Sequence, residues 1–72
     1  MRMPMKLKWL DTREIAISLE EKYPDIDNLN LSFPHLHKLV LGLENFEDDP
    51  KMSNEKILEA IQMTWIEERD DG

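Results

Sequence analysis

Pro34-His35-Leu36-His37-Lys38-Leu39-Val40-Leu41-Gly42-Leu43 sets Leu36, Leu39, Val40 and Leu43 at i, i+3, i+4 and i+7. That spacing lays four apolar side chains along one stripe of an α-helix and is the clearest periodicity in the chain. Pro34 is tolerated in a first turn, so the spacing predicts a helix beginning around it, and Gly42 marks a nearby end or a close approach by another element.

Two further helices extend this pattern. Ile15, Ala16 and Leu19 form a stripe after Asp11, which is read as an N-cap completed by Glu14 three residues on. Leu10 is expected to staple against Ile15, and Tyr23-Pro24 ends the helix near Lys22, because a residue before proline is driven out of the helical region. Ile57, Leu58, Ile61 and Trp65 make the third stripe, with Ser53 read as its N-cap and the helix fading from Glu67 to Gly72. Lys6-Leu7-Lys8-Trp9-Leu10 alternates polar and apolar, which places Leu7 and Trp9 on one face of an extended segment. Leu29, Leu31 and Phe33 alternate similarly, and a pairing of these two segments is expected. The fold class is therefore mainly α: one compact three-helix domain with a short two-stranded extended pair.

With 72 residues the chain supports one small core, burying about 60% of the surface its unfolded form exposes. No apolar run reaches the roughly 20 residues of a membrane span, and residues 1–5 lack a following apolar stretch of signal-peptide length. The chain reads as soluble and intracellular. With no cysteine, disulfides, thiolate metal sites and cysteine nucleophiles are all excluded.

Charge is the other informative feature. The net charge is −7, and it is uneven: residues 1–22 carry five basic and four acidic groups, whereas 23–72 carry four basic and twelve acidic. Leu43-Glu44-Asn45-Phe46-Glu47-Asp48-Asp49-Pro50 concentrates four carboxylates within six residues just before the third helix. Such a turn favours a cation or a basic protein surface and repels a phosphate backbone. The structural alternative is solubility and helix-dipole compensation.

The search for chemistry is otherwise negative. His35 and His37 lie two apart and point roughly 200° away from each other on a helix, so they cannot chelate one ion together. His37 borders the apolar stripe and is read as a structural residue of the helix flank. Ser18, Ser32 and Ser53 sit in no nucleophile elbow, and Gly42 and Gly72 alone cannot build a phosphate-cradling loop. Neither Asp25-Ile26-Asp27-Asn28 nor Glu44–Asp49 meets the EF-hand pattern. The chain is read as a non-enzyme.

Trp9-Leu10-Asp11-Thr12-Arg13-Glu14-Ile15, Tyr23-Pro24-Asp25, Phe33 with Leu36-His37, Leu43 through Pro50, and Ser53-Asn54-Glu55-Lys56-Ile57-Leu58-Glu59-Ala60-Ile61 with Trp65 recur in one order. In these motifs the chain resembles the IscX (YfhJ) family of small acidic proteins of iron-sulphur cluster assembly. The resemblance spans nearly all of Leu7 to Glu68. It implies a modified winged-helix fold for a single domain at residues 6–68; residues 1–5 depart from the family by extending beyond its usual start and are expected to be a flexible extension, and residues 69–72 an acidic tail. It further implies a monomeric cytoplasmic accessory protein that binds the cysteine desulphurase, competes with frataxin for a basic region of it, and holds iron(II) weakly, with no tightly bound cofactor.

Carried over by the resemblance, the metal-binding set is Asp11, Glu14, Glu44, Glu47, Asp48 and Asp49. The partner-binding set is Asp11, Glu14, Glu47, Asp48, Asp49 and Glu55, with Asp48 and Asp49 foremost and Arg13 as an internal counter-charge. Trp9, Phe46 and Trp65 are read as core anchors. Without the resemblance, the same field suits a nucleic-acid mimic or other adaptor seated in a basic protein groove, or a calcium-responsive module.

Overall fold

The structure is a computed structural model and describes residues 6–71. The expected extension at 1–5 and the terminal Gly72 lie outside the described residues. Among the described residues the helices are α1 Thr12–Lys22, α2 Phe33–Leu41 and α3 Glu55–Asp71, with a 3-10 turn at Pro50–Met52. The chain is mainly α, and the main helix interface is α1 against α3, closed on one side by α2.

The periodic stripes define the core. Ile15, Ala16 and Leu19 of α1, Leu36 and Val40 of α2, and Leu58, Ile61 and Trp65 of α3 are buried together with Leu7, Trp9, Leu31 and Leu43. Each large side chain here contributes roughly 1.5–3 kcal/mol by leaving water, so truncating the fully buried Leu19 or Ile61 to alanine costs about 2–5 kcal/mol. Leu39, Phe46 and Ile57 pack partly buried against this cluster.

Helix ends follow from local chemistry, though not always from the residue expected. The Tyr23 N–H donates to the Leu19 carbonyl at 2.7 Å and ends α1 where Pro24 demands it. Ser32 Oγ caps α2 by accepting from the His35 N–H at 3.4 Å, and Gly42 closes its other end with an ordinary φ of −82°. An added Cβ at Gly42 would meet nothing nearer than 3.5 Å, so this glycine marks a helix end and no close approach. Asn54, not Ser53, caps α3: its Oδ1 accepts from the Ile57 N–H at 2.9 Å, while Ser53 Oγ turns back to the Pro50 carbonyl at 3.5 Å.

Three further expectations are corrected. Asp11 stands at the N-cap position of α1, but its side chain makes no cap hydrogen bond, so the Asp11–Glu14 capping pair does not form. Leu10 is 82% exposed and staples nothing. The extended segment at Leu7 pairs in parallel with Phe46 instead of with Leu29–Phe33. The Leu7 N–H donates to the Asn45 carbonyl at 2.7 Å, and the Glu47 N–H donates to the Leu7 carbonyl at 2.9 Å. Phe33 belongs to α2. Among the described residues, β pairing is limited to this one bridge.

α3 does not fade at Glu67 but runs to Asp71, and Arg69 explains why. Its Nε donates to Glu20 Oε1 at 2.9 Å, and its other nitrogens donate to the Tyr23 carbonyl at 3.1 Å and to the Ile26 carbonyl. The same Glu20 oxygen accepts from Trp65 Nε1 at 2.9 Å. Gln62 Nε2 reaches the carbonyls of Asn28 and Leu31 at 2.9 and 3.2 Å, so the loop after α1 is sewn to α3. Within that loop, Asp27 accepts from the Asn30 side chain and from the Leu29 and Asn30 N–H groups, which holds its carboxyl below the usual aspartate range.

Candidate functional site

The loop Glu44–Asp49 is positioned by Trp9. Alternation along Lys6–Leu10 turns Trp9 inward, and a buried indole N–H needs an acceptor. It donates to the Asp49 carbonyl at 2.8 Å. The Trp9 ring stacks on His37 with centroids 5.3 Å apart and meets the edge of Phe46 at 4.7 Å. His37 Nε2 lies 2.9 Å from the Pro50 carbonyl, and because a carbonyl only accepts, that nitrogen carries the proton. Trp9 and His37 therefore hold the C-terminal end of the acidic loop, and Phe46 packs its middle against the Trp9 ring.

Asp48 is the keystone of the turn. Its Oδ2 accepts from the Trp9 N–H at 3.0 Å and its Oδ1 from the Asp49 N–H at 2.7 Å. These two bonds, with the Lys8 charge nearby, hold the Asp48 carboxyl below the usual aspartate range. Asp11 Oδ2 accepts from the adjacent Lys8 N–H at 2.9 Å. Asp11 and Asp48 thus grip two consecutive amides of one short turn. Asp49 Oδ1 accepts from the Lys51 N–H at 2.9 Å, opening the 3-10 turn.

Glu47 Oε2 pairs with Lys6 Nζ at 2.7 Å, with both side chains largely exposed. The hydrogen bond and charge of Lys6, helped by the charge of Lys8, lower the Glu47 carboxyl. An exposed pair of this kind adds little to stability and is screened by salt.

The other candidates stand apart from this centre. Glu14 and Glu55 are exposed in the first turns of α1 and α3. Glu44 lines a shallow open groove with Ser18, Glu21, Lys22, Leu43 and Asn45. Among the described residues, no three His, Asp or Glu side chains converge as metal ligands. Arg13 is exposed and borders a polar groove with Glu67, Glu68, Asp70 and Asp71, so it faces the acids of α3 and is no internal counter-charge to the loop.

Chemically, the arrangement presents fixed negative charge on an ordered turn. What sequence reasoning missed is the gripping role of the Lys8 and Trp9 amides and of the His37 ring. A tryptophan one residue from an exposed lysine, facing inward with an N–H to satisfy, was the available signal.

The model of a protein family described as iron-sulphur cluster assembly matches residues 7–70. An uncharacterized protein of Pseudomonas aeruginosa is 53% identical over 66 residues, covering 92% of this chain and 100% of that protein.

Proposed function

This chain belongs to the iron-sulphur cluster assembly family, that of IscX (YfhJ), and from that premise we propose that it is a non-enzymatic accessory protein whose acidic face binds a basic patch of the cysteine desulphurase. The observation that carries the reading is the double grip of Asp11 and Asp48 on the Lys8 and Trp9 amides. It brings carboxylates from distant parts of the chain to one turn, and the Trp9 and Asp49 N–H groups hold the Asp48 carboxyl below the usual aspartate range.

The contact set is Asp11, Glu47, Asp48 and Asp49 at the centre, with Glu14 and Glu55 on the flanking helices. A preordered loop loses little conformational freedom on docking, so its charge is available for steering and register. Binding through such a face weakens as ionic strength rises. It also places this protein in competition with frataxin for the same basic region of the desulphurase.

Iron(II) enters as weakly held cargo at the carboxylates of Asp11, Glu14, Glu44, Glu47, Asp48 and Asp49. Asp48 already commits both oxygens to backbone N–H groups, and oxygen ligands from one exposed turn hold hard divalent ions loosely. By docking with or without iron(II), the protein modulates sulphur transfer or iron supply. The test is a titration of the labelled protein with the cognate cysteine desulphurase, with and without iron(II), at two ionic strengths. Salt-sensitive binding in the absence of metal supports the reading, and binding that requires iron(II) or ignores salt contradicts it.

A further inference from the structure

The acidic loop carries an apolar rim. Leu10 is 82% exposed and Met52 is 64% exposed, and neither packs against the core cluster that takes up Leu39, Phe46 and Ile57. Each borders the acidic loop on its own: Leu10 lies between Trp9, whose N–H donates to Asp48 Oδ2 at 3.0 Å, and Asp11, while the Met52 N–H donates to the Asp49 carbonyl at 3.0 Å. Leu10 itself sits inside a turn closed twice, by the Asp11 N–H to the Lys8 carbonyl at 2.9 Å and by the Lys8 N–H to Asp11 Oδ2 at 2.9 Å. Its exposure is therefore set by a hydrogen-bonded turn.

We propose that Leu10 and Met52 are apolar contact points of the acidic docking face, seated on the aliphatic stems of lysine and arginine side chains in the basic patch of the partner. The inference rests on the partner reading above and adds the apolar half of the interface. Charge complementarity selects the occupant: Leu10 adjoins Asp11, and Met52 is bonded to Asp49, next to Glu47 and Asp48 in the loop, so a second copy of this chain or an anionic lipid surface would bring like charge against them. Long basic side chains offer both a cation and a hydrocarbon stem. Charge then governs encounter and salt dependence, while the apolar contacts supply affinity that salt does not screen.

The double variant Leu10→Ser with Met52→Ser, titrated against the cognate cysteine desulphurase at low and high salt, tests this. The expected result is a Kd raised about tenfold at both salt concentrations, with an unchanged slope of log Kd against log salt and an unchanged Tm. Leu10→Thr alone, confined to an exposed turn side chain, is expected to give part of the same loss. A Kd within about twofold of the parent at both salts overturns the apolar rim and leaves the acidic face standing, provided the parent binds in a salt-dependent way. A parent protein that does not bind the desulphurase, or that self-associates through these two residues, overturns both.

Discussion

Asp11 Oδ2 and Asp48 Oδ2 accept from the consecutive amides of Lys8 and Trp9, at 2.9 and 3.0 Å. Two aspartates far apart in the chain thereby meet at one turn, and each exchanges a freely moving carboxylate for a fixed one. The charge on these two carboxylates is thus part of the same hydrogen-bonded unit that docks the loop on the core.

Asp48 is accordingly both a structural and a surface residue. Asp48→Ala removes the acceptor for two backbone N–H groups, so its Tm is expected to fall by several degrees. Asp49→Ala, which loses one local bond, and Glu14→Ala, which loses none shown, should fall less. Thermal unfolding of the three variants followed by circular dichroism checks the order.

The same contact fixes a pH dependence. The folded-state value of Asp48 lies below its ordinary 3.8, so its stabilisation is fully present above that value and is lost as pH falls through the lower folded-state value. The stability gap between the parent and Asp48→Asn should be constant at neutral pH and narrow only below 3.8. Denaturant titrations across acid pH measure it. A gap that widens on acidification would contradict the assignment.

Arg69 joins α3 to Glu20 and to two carbonyls after α1 through a planar fork. Arg69→Ala is expected to cost about 2–4 kcal/mol, because the carbonyls and Glu20 lose a charged donor in a partly buried site. Arg69→Lys should fail to rescue, since an ammonium cannot present the three donors in that geometry. Chemical denaturation distinguishes the two outcomes.

Trp9→Phe keeps most of the ring and removes the indole N–H that holds the Asp49 carbonyl. Stability should fall by about 1 kcal/mol, and amide exchange should quicken from Glu47 to Lys51 more than in α3. Affinity for the desulphurase should drop as well, because the loop must then be ordered on binding.

Much of this was legible in the residues, for reasons that differ by element. The stripes on α1, α2 and α3 were readable because burial imposes a helical period on neighbouring positions, and Trp9, Phe46 and Trp65 announced themselves by size. Cap assignments failed at Asp11 and Ser53 because a short polar side chain can bond forward into a helix or back into the preceding turn, and adjacent Ser53 and Asn54 are both competent caps. The partner of Leu7 and the Glu20–Arg69 pair left no local trace, since pairing across the fold follows from packing and not from spacing. The acidic loop was visible as charge, but its grip on the Lys8 and Trp9 amides depends on that long-range pairing.

The most direct test of the acidic face is charge reversal at Glu14, Glu47 and Asp49, which spares the keystone Asp48, compared with reversal at Glu67, Asp70 and Asp71 on α3. Both triple variants are titrated against the cognate cysteine desulphurase at two ionic strengths, with Tm measured alongside. The account predicts that the first variant binds about tenfold or more weakly with a shallower salt dependence, while the second stays near the parent. Equal losses from the two variants, or binding by the parent that does not respond to salt, would contradict it.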